Sequence, residues 1–535
     1  MTALAGKIIL LWGWKRAGLA FLAGATAVLA LPPFDFFAAA FVSFVILVFL
    51  IEGAVAAPNA GFFRRLLPAA KIGWWFGFGY FTAGLWWLGN ALLIEADEFA
   101  WAIPLAVLVL PAGLALFYAL AAGLARIIWT EGIGAAAALA FGFGIAEWLR
   151  TFLFTGFPWN PVGHLAMPVP LLMQSASVFG VEGMNALAVF FFALPAVLGL
   201  GRHRRRGVFL CLALAVAHVG YGYYRLHDAP AYAKTGLVFR LVQPSISQSE
   251  KWDNAARDKI FATLLKLSAE KPAEGGKRPD VIVWPETAIP FLLSERPDAY
   301  SSIAGMLQDG QTLIAGAVRQ EGQRNSGDDV RYYNSMLVIG ADGMLISASD
   351  KNHLVPFGEY LPMEDLLRSF GVTEIVNTPG GFSAGSKRKN IVLPDGKKLN
   401  PLICYEGIFP REVIASGGRA DAMINITNDA WYGNTPGPYQ HFRMVQLRAV
   451  EQGLPLMRAA NSGISASIDS YGRIVDALKL NAAATIDTYL PGALQPTPYV
   501  LYGGISFSFI LLALLAIAGL TILRARSRIS ASISS

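Results

Sequence analysis

Long apolar runs dominate this chain and limit what it can fold into. Candidate spans lie at about 17–33, 34–52, 72–93, 100–125, 132–154, 184–201 and 207–224, with one more at about 500–523. A helix needs roughly 20 apolar residues to cross the hydrocarbon core of a bilayer. The first two runs are short and are parted only by Pro32-Pro33. Composition agrees with a membrane protein. Of 535 residues, 54% are hydrophobic and 15% charged, where a soluble domain carries about 25% charged residues. The mean hydropathy is +0.47. Disordered, collagen-like and ordinary soluble chains are excluded. The fold expected is a membrane α-helical bundle of about eight transmembrane helices plus a separate α/β domain. Its parts are residues 1–233, residues 234–495, and a last span with its tail at 496–535.

Loop charges set the orientation. Lys7, Lys15 and Arg16 precede the first span, and Arg64, Arg65 and Lys71 separate the second and third. Arg126 follows the fourth, and Arg202, Arg204, Arg205 and Arg206 separate the sixth and seventh. Arg524, Arg526 and Arg528 follow the eighth. These loops alternate, so they share one side. Basic loops stay cytoplasmic. The other side carries Asp35, Glu95, Asp97 and Glu98. Residues 234–495, between spans seven and eight, are therefore expected to face outward, which is periplasmic in a Gram-negative cell. The net charge of +6 reads as topology signal, and no nucleic acid is expected as a partner. The N-terminus has a basic start, an apolar run and small residues at Ala25–Ala27, as a secretory leader does. It is read as a retained span, and cleavage would leave the remaining topology unchanged.

Two cysteines exclude a disulfide framework and a four-cysteine zinc site. Cys211 lies in the seventh span and reads as a small apolar filler. Cys404 is then the outer domain's only thiol. Such a residue is either buried and inert or kept for chemistry.

The outer domain alternates short β-rich runs with helical patterns. The runs are Leu237–Val242, Val281–Trp284, Thr312–Val318, Tyr332–Ile339, Met344–Ala348, Leu399–Cys404, Ala422–Thr427, Leu456–Ala459 and Ile464–Ile468. Asp253–Ala269 and Tyr439–Gln452 carry helical periodicity, and Asp342-Gly343 signals a hairpin. The mixture predicts α/β with some antiparallel pairing.

Three strand ends carry reactive residues. Val281-Ile282-Val283-Trp284 runs into Pro285 and Glu286. Pro cannot continue a central strand, so Glu286 stands where sites on α/β folds lie. Lys351 follows another strand, and Cys404 ends a third. A cysteine attacks as a thiolate. A nearby carboxylate can take its proton, and a lysine can stabilise the oxyanion that develops on an attacked carbonyl. Taken singly, each has an ordinary structural reading: a loop glutamate, a solvated lysine, a buried cysteine.

Together, Glu286, Lys351 and Cys404 resemble the Glu-Lys-Cys triad of the nitrilase superfamily. Asn428-Asp429-Ala430-Trp431-Tyr432-Gly433 and Arg458-Ala459-Ala460-Asn461-Ser462-Gly463 resemble segments downstream of its nucleophile. Helical spans, an outer nitrilase-like domain and a final span make the whole chain similar to the apolipoprotein N-acyltransferase family of the bacterial inner membrane. Val242-Gln243-Pro244 and Lys251-Trp252-Asp253 add to the likeness, with Pro244 where the family's Gly is usual and Tyr432 where Phe is common.

The resemblance implies an αββα sandwich for the outer domain. It implies transfer of an acyl chain from a phospholipid, typically phosphatidylethanolamine, to the α-amine of a lipoprotein's diacylglyceryl-modified N-terminal cysteine. The reaction runs ping-pong through a thioester on Cys404. Glu286 would be the general base, and Lys351 the oxyanion partner with the Tyr405 backbone N–H. Glu359 would be a supporting carboxylate, Tyr405 and Glu406 would shape the site, and Trp252 would contact substrate. No cofactor and no metal are expected. His353 and His441 have no partners at ligand spacing, and His441 is expected to pack near the Trp431 loop. A monomer is expected, since no coiled-coil heptad is present.

Apolar residues on loops of the outer domain are candidates for meeting lipid: Phe291-Leu292-Leu293, Phe357 with Tyr360-Leu361-Pro362, and Phe370 with Val372 and Ile375. The stretch from Met363 to Gly381 reads either as a mobile lid or as an ordinary loop. Glu147 and Arg150 can pair at i, i+3 in the fifth span, for function or for structure. Thr155 to Asn160 follows on the outer side. Two other readings stay open: a membrane-bound amidase with the same triad, and a non-enzymatic transporter or lipoprotein-binding module with a relic domain.

Overall fold

A computed structural model describes the chain except Met1, Arg202, residues 231–235, Trp252, Asn254, residues 323–329, residues 370–380, Ala415 and residues 534–535. It divides into two units. One comprises Met1–Gly89, Trp101–Ala229 and Pro496–Ser535; the other comprises Asn90–Ala100 and Pro230–Gln495.

The first unit is helical, and each of the eight expected segments contains helix. Five helices among the described residues are long and apolar enough to cross a membrane: Ala96–Ile127, Ile133–Arg150, Ala176–Leu200, Arg204–His227 and Pro498–Ala525. Thr2–Ile9 and Gly13–Ala30 would add a sixth, bent by 120°. Ala38–Glu52 is apolar but only 15 residues long. Phe62–Leu85 has the length, at 24 residues, but Trp, Tyr and Gly dilute its aliphatic content. Its glycines serve contact instead. A Cβ on Gly73 would sit 2.2 Å from the Tyr118 carbonyl oxygen, and one on Gly79 would sit 2.0 Å from that of Phe21. Helices of small residues approach closely in this way.

Glu147 and Arg150 do pair, at 2.6 Å and fully buried. Arg150 also donates to the carbonyls of Phe157 and Trp159, and Tyr118 donates to Glu147 at 2.7 Å. The pair thus ties the turn after its own helix back to that helix. A buried charge pair is more tolerable when such added hydrogen bonds meet most of its remaining capacity.

Among its described residues, the second unit holds twelve strands. They are β1 (Val238–Gln243), β2 (Val281–Val283), β3 (Thr312–Glu321), β4 (Arg331–Gly340), β5 (Leu345–Asp350), β6 (Ile391–Val392), β7 (Lys398–Ile403), β8 (Ala422–Thr427), β9 (Leu456–Ala460), β10 (Ala466–Ile468), β11 (Ile474–Ala477) and β12 (Ala484–Tyr489). They form two six-stranded sheets, ordered β12-β1-β2-β3-β4-β5 and β11-β10-β9-β8-β7-β6. Strands β1, β2 and β3 run parallel, as do β7, β8 and β9. The hairpin at Asp342-Gly343 joins β4 to β5, with Gly343 at φ +78°.

Strand alternation builds the layers. Phe239, Leu241, Val281 and Val283 of the first sheet meet Leu399, Ile403, Ala422, Ile424 and Ile426 of the second in one core. The opposite faces are covered too. Val242, Ile282 and Leu313 pack with helices Arg257–Ser268 and Pro297–Met306. Leu402, Met423 and Leu456 pack with helix Pro436–Gln452. The result is an αββα sandwich. Strands buried on both faces read as near-continuous apolar runs, which is why the sequence shows them.

Candidate active site

The strand ends converge. Glu286 follows β2, Lys351 follows β5, Cys404 follows β7, and Asn428 follows β8. All are buried. The Lys351 ammonium lies 3.2 Å from Glu286 Oε1 and 2.9 Å from Glu359 Oε1. Asn334, on β4, donates one amide group to both carboxylates, at 2.7 and 3.0 Å. The second oxygen of Glu286 accepts from the Asn428 backbone N–H at 2.9 Å. That of Glu359 accepts from the Val355 N–H at 2.8 Å. The Cys404 thiol lies beside the Glu286 carboxylate, close enough for each to shift the other's ionisation.

Local backbone explains the aim of the thiol. β7 ends at Ile403, and a tight helical turn, Cys404–Ile408, begins at once. Cys404 stands at φ 48°, a left-handed conformation uncommon for a residue with a side chain. Glu406 holds that turn. Its carboxylate accepts from the backbone N–H of Ile403 at 2.7 Å and of Asn352 at 2.8 Å, and pairs with Arg388 at 2.5 Å. One side chain therefore links the Cys404 turn to the residue after Lys351. Tyr405 is buried and stacks edge-on to Phe409. Glycine supports the carboxylate from behind. A Cβ on Gly316 of β3 would lie 2.2 Å from the Pro285 carbonyl oxygen and 2.7 Å from Glu286 Cα.

The electrostatics follow from burial and pairing. Burial opposes ionisation of Glu286, but Lys351 and Lys251 outweigh it and hold the carboxyl below its ordinary range. Burial likewise opposes the Lys351 ammonium, and Glu286 and Glu359 more than restore it. Burial and the charge of Glu286 push the Cys404 thiol far up, against the pull of Lys351. At rest the sulfur keeps its proton while the carboxylate beside it is ionised. Beneath lies a second buried set. Asp429 pairs with His441 at 2.8 Å and with Arg458 at 2.8 Å. Despite burial, Arg458 and His441 bring its pKa down to about 2. Rather than merely packing near the Trp431 loop, His441 also reaches the Cys404 carbonyl, at 3.3 Å.

Other expected residues fall differently. Trp252, Phe370, Val372 and Ile375 lie outside the described residues. Leu293 belongs to the core beneath the first sheet, with Phe291 packed on it, and Leu361 is buried. Leu293 and Leu361 are thus packed inside, whereas Phe357 and Met363 stay exposed, at 52% and 71%. His353 stacks on Phe409 and pairs with Glu412. Among the described residues no three His, Cys, Asp or Glu side chains group closely enough to hold a metal ion. Sequence reading gave no role to Asn334 or Lys251, although Lys251 lies in a segment that carries the family likeness. The one available signal for Asn334 was a lone amide inside an apolar strand.

The αββα sandwich, with a cysteine, a carboxylate and a lysine buried at its strand ends, has the carbon–nitrogen hydrolase fold, and the family model described as carbon-nitrogen hydrolase matches residues 240–499. A second model, apolipoprotein N-acyltransferase N-terminal domain, matches residues 23–194. Full-length relatives agree. Apolipoprotein N-acyltransferase of Brucella suis biovar 1 is 58% identical over 99% of this chain and 99% of its own. Those of Rhizobium rhizogenes and Sinorhizobium fredii are 58% and 56% identical, over 92% and 97% of this chain and 93% and 98% of theirs. The chain belongs to the apolipoprotein N-acyltransferase family.

Proposed function

We propose that this protein moves an acyl chain from a membrane phospholipid to the α-amine of the diacylglyceryl-modified N-terminal cysteine of a lipoprotein. The observation that carries the chemistry is the cluster itself: a buried thiol beside an ionised carboxylate, with a lysine ammonium 3.2 Å from that carboxylate. Family membership supplies the substrates.

The Cys404 thiol is protonated at rest, so its proton passes to Glu286 as the sulfur attacks the ester carbonyl of the phospholipid. The oxyanion gains the Lys351 ammonium and the Tyr405 backbone N–H. On collapse, Glu286 returns the proton to the departing lysophospholipid oxygen, and a thioester remains on Cys404. The lipoprotein amine then attacks the thioester and gives a proton to Glu286. The amide forms, and the sulfur leaves and is reprotonated. Glu359 holds Lys351 between the two carboxylates throughout. Phosphatidylethanolamine is the expected donor, and the enzyme works as a monomer in the bacterial inner membrane with residues 234–495 in the periplasm. The substrates favour a membrane enzyme, because each buried methylene is worth about 0.8 kcal/mol in lipid. Exposed Phe357 and Met363 fit contact with acyl chains.

The test is intact-protein mass spectrometry after incubating the detergent-purified protein with phosphatidylethanolamine. A hydroxylamine-sensitive gain of one acyl chain, absent in Cys404→Ala, is expected. Folded wild-type protein that gains no acyl chain from any of several phospholipids would refute the ping-pong reading.

A further inference from the structure

Lys251 follows no strand. It closes the short helix Gln248–Lys251 in a Ser- and Gln-rich stretch, where a lysine reads as solvated. The structure buries it to 3% exposure. Its ammonium donates to the backbone carbonyl of Glu286 at 3.0 Å and to the Thr287 hydroxyl at 2.6 Å. Both are neutral oxygens, and a buried ammonium is costly unless a charge opposes it. Among the described residues, the titratable groups acting on it are Glu286, after β2, and Cys404, after β7.

The backbone it grips is unusual. Thr287 stands at φ 44°, a left-handed conformation that β-branched residues rarely adopt. On its other side the segment presses on β3, where only the missing Cβ of Gly316 leaves room for Pro285, Glu286 and Thr287. The Glu286 carboxylate is thus aimed by a strained segment held from two directions.

We propose that Lys251 is a positioning residue for Glu286: it fixes the Glu286–Thr287 backbone on the side opposite β3 and supplies a second positive charge beside the carboxylate. The inference rests on the reading of Glu286 and Cys404 as the reacting pair. With Lys251 and Lys351 protonated, two cations match the two carboxylates Glu286 and Glu359. When the thiol proton crosses to Glu286, the negative charge passes to sulfur and stays beside the same two cations. Burial draws Lys251 down to about 8, with Glu286 and Cys404 resisting. Its charge is therefore present at neutral pH and lost in mild alkali.

The experiment follows thioester formation from phosphatidylethanolamine by intact mass, using the full chain in detergent, from about pH 6.5 to 9.5 around that titration. Lys251→Met is expected to be slower by on the order of tenfold or more near neutral pH. The two rates should draw together above the point where the wild type loses its charge. A lysine that only fills space would lower the rate by one factor at every pH. Thr287→Val keeps the ammonium and removes one anchor; it should slow the reaction by about threefold and carries the test if Lys251→Met does not fold. A pH-independent ratio, or Lys251→Met and Thr287→Val at wild-type rates, would overturn the role of Lys251 alone. Wild-type protein that forms no thioester overturns the acyl-transfer reading and this inference with it.

Discussion

Adding one methyl group at Gly316 should disable the enzyme while leaving it folded. The Cβ of an alanine there would sit 2.2 Å from the Pro285 carbonyl oxygen, 2.6 Å from the Thr287 nitrogen and 2.7 Å from Glu286 Cα. Ordinary contact begins near 3.4 Å, so the segment carrying Glu286 must retreat by about 1 Å. All three neighbours are backbone, and no side chain can swing aside for it. Overpacking of this kind costs about 1–3 kcal/mol. The catalytic effect is larger, because a 1 Å misplacement of a reacting group costs roughly 100-fold. Glu286 would move away from the Cys404 thiol, the Lys351 ammonium and the Asn428 N–H together. The assay is the rate of thioester formation, with thermal unfolding measured in parallel. Gly305→Ala is the control: nothing lies within 4 Å of its Cβ, and an alanine in that helix should be neutral or slightly stabilising. Gly316→Ala that folds and acylates within about threefold of the wild type would refute the argument that this glycine sets the position of Glu286.

Lys351→Met leaves two buried carboxylates facing each other with their shared cation gone; acyl transfer should fall by about 100–1,000-fold, and Glu286 should ionise only at higher pH, moving the acid limb of the pH–rate profile upward. Asp429 supports stability above its unfolded pKa of about 3.8, and that support fades as pH falls towards about 2. Acid unfolding should show roughly 2 kcal/mol of this dependence, and Asp429→Asn, which also strands Arg458, should lose about 3–5 kcal/mol at neutral pH by denaturant titration. Glu406→Ala removes the carboxylate of Arg388 and the acceptor for the Ile403 and Asn352 N–H groups; a fall in melting temperature together with slower thioester formation is expected, and a fall in only one of the two would contradict its linking role.

Sequence legibility followed burial. β1, β2, β7 and β8 are covered on both faces, so their residues are mostly apolar and stand out, with Arg240, Asn400 and Asn425 as buried polar exceptions. β11 and β12 are half exposed, and β6 is two residues long; none leaves a run to see. Helix Pro297–Met306 was missed because its apolar face is short and Pro297 reads as a break, although Pro suits a first helical turn. Glu286 and Cys404 were visible because each abruptly ends an apolar strand with a reactive group, and Lys351 because it ends a strand in order with them. Lys251 and Asn334 were not, since their roles come from what lies across the fold. No local pattern separates a solvated lysine from one buried against the Glu286 carbonyl, or tells that Asn334 would bridge two carboxylates from distant loops.

The pairing of β1 with β12 has a consequence for how the protein is made. β12 lies along the outer edge of β1 through six residue pairs, Val238 with Tyr489 to Gln243 with Ala484. About 240 residues separate the two strands, so β1 waits for its partner through most of the synthesis of this unit. All six of its residues are apolar or buried in the finished sheet, and until β12 emerges its hydrogen-bonding edge is open to any passing strand. A ribosome stalled after Cys404 but before residue 484 would release a chain that carries every reactive group and yet presents a sticky, unfinished sheet. Quality control that recognises open sheet edges would find its target in that truncated chain.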